Sequence, residues 1–176
     1  MSRREIQEAH ETAVIDMFLE WYNATNGYSY IVEEQPDPPD AILYDEEDGD
    51  RTWVEVTDAF FSDDWARNLY SHATPDEDDF DMQSSQVNMD ERHAHRFVEI
   101  VQKKLSKESY APFHEEHGPG TLIVSLQSPW FDDQTADEMD RIQNERNLEN
   151  KTDYFDEIII CWRSQGGYAF AEWELP

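Results

Sequence analysis

Residues 121–126 read Thr121-Leu122-Ile123-Val124-Ser125-Leu126, an almost unbroken apolar run of strand length. A run without polar alternation has no solvent face, so it belongs to a central strand covered on both sides. That points to a sheet with helices on both faces. A second buried strand is expected at residues 156–162, which include Ile158-Ile159-Ile160-Cys161-Trp162. The 176 residues amount to one domain, 1–176.

The surface must be strongly acidic. The chain has 13 basic and 41 acidic residues, a formal charge of −28. Binding nucleic acid through a basic face rests on Lys and Arg neutralising phosphates, and this balance excludes it as an unaided mode. It also argues against docking on an anionic membrane. Apolar runs are too short to span a bilayer, which takes about 18 residues. The start, Met-Ser-Arg-Arg-Glu-Ile, has no apolar stretch behind its charges, so a signal peptide is not expected. The lone Cys161 excludes an internal disulfide framework and a Cys-rich zinc site. The expectation is a soluble cytoplasmic protein. Two explanations of the acidity compete. One is a halophilic surface, since at 1 M salt the Debye length is only roughly 3 Å. The other is DNA mimicry, with carboxylates standing in for phosphates. The acids are spread along the whole chain, which favours the first.

Local signals supply the other elements. Ser2-Arg3-Arg4-Glu5 reads as a capping box, and Ile6, Ala9, Ala13, Met17 and Trp21 recur at helical spacing until Asn26-Gly27. Strands are predicted at 28–33, 41–44 and 51–58, with Pro36, Pro38 and Pro39 breaking regular structure before Asp40. A short helix is expected over 62–72 and a polar loop over 73–87. A longer helix should run from Asn88 to about Ser109, with Pro112 and Gly118-Pro119-Gly120 beyond it. Thr135-Ala136-Asp137-Glu138 reads as a second capping box, followed by a helix to about Leu148. A turn at 164–167 leads to a last strand over 168–174.

The hairpin between the second and third strands carries the chemistry. With Asp48-Gly49 as a two-residue loop, Glu47 faces Asp50, Tyr44 faces Trp53, Ile42 faces Glu55 and Asp40 faces Thr57. Asp40 and Glu55 then share a face as diagonal neighbours, roughly 7–8 Å apart at the backbone. Two such carboxylates can lean onto one divalent cation. Glu55 sits inside Trp53-Val54-Glu55-Val56-Thr57, where an unpaired charge is costly to bury. The plain alternative is an edge hairpin with Glu55 pointing at solvent.

Pro39-Asp40, a short apolar strand, an acidic turn and Trp53-Val54-Glu55-Val56-Thr57 together resemble the PD-(D/E)XK nuclease-like superfamily. The αβββαβ order from Ser2 to Leu126 is similar to its restriction-endonuclease-like core, here about 2–127, with a C-terminal αββ extension over about 128–176. The resemblance implies a Mg²⁺ or Mn²⁺ site made by Asp40, Glu55 and the main-chain carbonyl of Val56, and phosphodiester hydrolysis. It also implies a glutamate from the first helix, Glu8 or Glu11. The motif's lysine falls at Thr57, which supplies no cation. Some members are known to take it from the helix after the third strand, and there this chain has Lys103, Lys104 and Lys107, three of its four lysines. Phe97, Ile100, Lys104 and Lys107 form one stripe, which nominates Lys104 or Lys107. The alternative is lysines that snorkel at a helix C-terminus.

Other constellations are weaker. His93 and His95 diverge on a helix. His114 and His117 flank Glu115-Glu116 in an expected loop and lack further zinc ligands. Cys161 reads as core. The expected function is therefore a metal-dependent nuclease acting on nucleic acid at high salt. The rival is a non-catalytic acidic protein of the same fold, an inhibitor or mimic that binds a basic DNA-binding protein.

Overall fold

The computed structural model describes residues 2–60, 88–128 and 131–176. The short helix expected over 62–72 and the loop over 73–87 lie outside these residues. The described chain is an α/β fold with four α-helices and a curled, mixed six-stranded sheet of order β1-β2-β3-β4-β5-β6.

Helix α1, Arg3–Asn26, starts at the expected capping box: Ser2 Oγ accepts from the Glu5 N–H and the Glu5 carboxylate accepts from the Ser2 N–H. Gly27 ends it with φ 72°, a left-handed value that suits glycine. Its buried residues are Val14, Ile15, Phe18 and Leu19 rather than the predicted stripe, and Ala9 and Ala13 are exposed. The larger side chains win because they remove more apolar area from water. The change matters, because Glu11 falls in line with Val14, Ile15 and Phe18 and so faces the sheet.

Strand β1, Tyr30–Glu34, is antiparallel to β2, Ala41–Asp45, which is antiparallel to β3, Arg51–Phe60. β1 begins at Tyr30 because the Asn23 side chain bonds both its N–H and its carbonyl. The β2–β3 register differs from the prediction by two residues: Ile42 faces Trp53, and Tyr44 faces Arg51. Buried Asp45 is the cause. Its carboxylate accepts from the Glu47 and Asp48 N–H groups, and its backbone bonds Asp50 and Gly49, so the loop is longer than Asp48-Gly49. A two-residue shift preserves the faces, since side chains alternate with period two.

Helix α2, Met89–Leu105, stops short of the predicted end. A 3₁₀ turn, Glu108–Tyr110, leads into α3, Ala111–His117, where Pro112 sits in the first turn, which needs no N–H from it. His114 and His117 are therefore helical, not in a loop. β4, Gly120–Gln127, runs parallel to β3 and to β5, Phe155–Ser164, and β6, Gly167–Glu172, closes the sheet antiparallel. α4, Asp133–Glu145, is capped by Asp132, whose side chain accepts from the Thr135 N–H, rather than by Thr135 itself. The Thr135 hydroxyl is instead buried against Asp90 of α2, 2.7 Å away.

Two cores flank the sheet. Trp53, Ala59, Leu122, Val124 and Ile160 pack with Phe97 and Val101 of α2 and Met139 and Ile142 of α4. Val54, Val56, Ile123, Ile159 and Cys161 pack with α1. Gly120 allows the first core to close: a Cβ there would lie 2.5 Å from the Trp53 ring.

Candidate functional site

β2 ends at Ala41, opposite Val54, while β3 continues to Phe60. Beyond Ala41, no strand among the described residues pairs with the β2-facing edge of β3. Asp40 fills part of that gap, and its Oδ2 accepts from the Val56 N–H at 2.6 Å. A strand residue sends its N–H and carbonyl to the same side, so the Val56 carbonyl lies on this edge too.

Glu55, next along β3, points to the α2 face and is 4 % exposed. Its Oε1 accepts from Lys104 Nζ at 2.7 Å and from the Tyr110 hydroxyl at 2.6 Å. Its Oε2 is buried with no hydrogen-bond partner among the described residues. The solvent-pointing alternative for Glu55 is thereby overturned.

A cavity of about 240 Å³ opens here, and Glu11, Asp40, Glu55, Val56, Lys104 and Lys107 all line it, together with Gln7, Asp37, Thr57 and Asp58. The positions nominated from sequence thus meet in one place, with Glu8 as the exception. Glu8 is turned outward and pairs with Arg4 at 2.6 Å. Lys104 projects from α2, as its stripe with Phe97 requires. Lys107 lies past the end of α2, exposed, with its ammonium 5.2 Å from the centre of the Tyr110 ring.

The electrostatics follow from crowding carboxylates in a partly dry space. Asp40 is pushed up to about 7, first by burial, then by the charge of Glu55 and also that of Glu11; the Val56 N–H and Lys104 oppose this. Burial also raises Glu11, against the hydrogen bond it accepts from Gln7 at 2.8 Å. The Tyr110 phenol is driven well above its ordinary range by burial and by Glu55, so it stays a donor.

Among the described residues, no group of three or more His, Cys, Asp or Glu side chains is arranged to hold a metal. Asp40 and Glu55 supply two carboxylates, and the Val56 carbonyl is a further oxygen on that edge. Elsewhere, His93 is buried 3.3 Å from the Ala59 carbonyl, while His95 meets Arg146 at the surface, so they diverge as expected. Burial raises the Cys161 thiol to about 12, and the residue belongs to the core.

Sequence reasoning did not identify Tyr110 or a second polar group beside the cavity. His10 Nε2 lies 2.9 Å from Asp58 Oδ1, and Gln127 donates to Asp58 at 3.3 Å and to Ser125 Oγ at 2.8 Å. Asp58 raises the His10 imidazole. Spacing carries no signal for either, because the partners are far apart in the chain and Tyr110 follows a helix end.

No protein-family model, curated protein or solved structure matches this chain. No described helix is long and apolar enough to cross a membrane.

Proposed function

We propose that this protein is a metal-dependent nuclease of the PD-(D/E)XK type, with a restriction-endonuclease-like core, that hydrolyses phosphodiesters of nucleic acid. The observation that carries this reading is the 2.7 Å contact of Lys104 with Glu55, inside a cavity that also holds Asp40, Val56 and Glu11. Lys104 of α2 supplies a cation beside Glu55, which supports a lysine from this helix in place of the one that Thr57 does not supply.

The residues fit a divalent cation. Glu55 Oε2 is buried with no hydrogen-bond partner among the described residues, and Asp40 is raised by burial and then by the charges of Glu55 and Glu11, a repulsion that a cation would relieve. Asp40, Glu55 Oε2 and the Val56 carbonyl would hold Mg²⁺ or Mn²⁺, with water completing the hard oxygen set. When bound, the ion supplies Lewis-acid stabilisation of phosphoryl oxygen charge. The chain's own groups do the rest. Lys104, fixed by Glu55, presents its ammonium to negative charge that develops on the phosphate. Lys107, exposed at the mouth, neutralises an adjoining phosphate. Glu11, from the opposite layer, offers a carboxylate to orient or deprotonate attacking water. Hydrolysis forms a bond from phosphorus to the water oxygen and breaks the bond to the departing sugar oxygen.

The −28 charge shapes the conditions. Screening at high salt lets a polyanion approach such a surface, which agrees with a halophilic cytoplasmic protein. The same charge favours a second reading, a non-catalytic mimic that occupies a basic DNA-binding protein. Incubation with single- and double-stranded DNA and RNA, with Mg²⁺ or Mn²⁺, from about 0.1 M to about 2 M KCl, separates the two. The nuclease reading expects cleavage that Glu55→Ala abolishes and that Lys104→Ala lowers by about 10²-fold. Absence of cleavage by folded wild type under every condition would transfer the function to the mimic.

A further inference from the structure

We infer that Tyr110 positions the candidate site: its hydroxyl and its ring together fix Glu55, Lys104 and Lys107, and leave the second oxygen of Glu55 to a divalent cation. This rests on the metal-dependent reading above. Tyr110 is fully buried, with its ring 5.5 Å from Trp53 and 5.2 Å from Phe155, centre to centre. The turn that carries it is tied by its own N–H to the Lys107 carbonyl at 3.3 Å. Its hydroxyl therefore has a fixed place.

That hydroxyl and the Lys104 ammonium both donate to Glu55 Oε1, at 2.6 Å and 2.7 Å. A carboxylate oxygen has two lone-pair sites, so Oε1 is filled by these two donors. Oε2 is buried and has no partner among the described residues. The carboxylate cannot turn without breaking both bonds. Tyr110 thus divides the work of Glu55, with one oxygen for the protein and one for the cavity. The ring face meanwhile holds the Lys107 ammonium 5.2 Å from its centre. One buried side chain so connects the carboxylate with both cations, although it is itself a positioning residue and not a catalytic one.

Partners that orient a metal ligand typically change metal affinity by about 10–100-fold when removed. Tyr110→Phe deletes the hydroxyl and keeps the ring. The experiment is Mn²⁺ titration of the full chain followed by electron paramagnetic resonance, with urea unfolding in EDTA as the fold control. Wild type, Tyr110→Phe and Glu55→Ala are compared. The inference expects Glu55→Ala to lose the site and Tyr110→Phe to fold but bind Mn²⁺ about tenfold more weakly. Equal affinity in wild type and Tyr110→Phe overturns the inference while leaving the metal reading intact. A Phe variant that does not fold also overturns it, because the hydroxyl would then belong to the fold. If wild type binds no Mn²⁺, or Glu55→Ala binds equally well, the metal reading fails and this inference falls with it.

Discussion

The β2–β3 hairpin treats a buried carboxylate differently at its two ends. At the closed end Asp45, 2 % exposed, receives the Glu47 and Asp48 N–H groups and makes the turn. At the open end Glu55, 4 % exposed, has one oxygen filled by two donors and the other by none among the described residues, and nearby Asp40 is raised by burial and then by the charge of Glu55. Asp45 also takes its two donors on one oxygen, Oδ1, but these are N–H groups of its own turn, and its other oxygen is not among the buried atoms without a partner, as Glu55 Oε2 is. Glu55 is matched only in part. Residue burial alone therefore does not distinguish a structural acid from a candidate functional one; what does is the source of the donors and whether the second oxygen is itself buried without one.

The comparison is tested most strongly at Asp40. In the fold its carboxyl binds a proton more tightly than in the unfolded chain, where 3.8 is ordinary, so its contribution favours the fold at low pH and is lost as pH rises towards about 7. Asp40→Asn keeps an acceptor for the Val56 N–H and removes that loss. The distance from 3.8 to about 7 sets a ceiling of about 4 kcal/mol, and partial exposure reduces the expected gain to about 2 kcal/mol at pH 8. Urea unfolding in EDTA across pH 4 to pH 8 checks this: the variant should gain on wild type as pH rises, and parallel curves would place the two ends on the same footing.

A smaller and opposite effect is expected at the turn. Asp45→Ala removes an acceptor of two backbone N–H groups and should cost about 1 kcal/mol. Mn²⁺ affinity should not change. Loss of Mn²⁺ binding in this variant, measured by the same titration, would show that the two ends are not separable.

The smallest effect concerns the exposed acids of the turn. Glu46, Glu47 and Asp48 surround it in solvent. Replacing them with Gln, Gln and Asn should stabilise by a few tenths of a kcal/mol in dilute buffer and by nothing measurable at about 2 M KCl, where screening has removed the repulsion. The Asp40→Asn gain, arising inside the protein, should survive the salt. Melts of both variants at low and high KCl distinguish them.

These ends also differ in how readily sequence reveals them. The open end is legible because it obeys two periods: alternation along β3 places Glu55 opposite the side of Val54 and Val56, and the three- and four-residue steps of α2 carry Lys104 along with Phe97. Even the wrong register preserved the face, since the error was an even number of residues. The closed end is not legible. An Asx turn at Asp45 competes with a two-residue loop at Asp48-Gly49, and nothing in the local pattern decides between them. The α1 stripe went astray for a related reason, as small alanines satisfy a spacing rule without offering much area to bury. Tyr110 and the His10–Asp58 pair depend on contacts between segments 55 and 48 positions apart, which no local rule reaches.

The crossover between β3 and β4 has a consequence for the order of folding. Both carboxylates of the open end are present once the chain has reached Phe60, but the ammonium and the phenol that receive Glu55 come from residues 104 and 110. A hairpin that formed alone would have to keep Glu55 wet, because burying it bare is prohibitive. Docking of α2 and pairing of the parallel strands must therefore precede or accompany its desolvation, and such long-range pairing is the slow kind. The cavity is assembled by the same late event that completes the core, so a chain that has gained its candidate site has, by that token, finished folding.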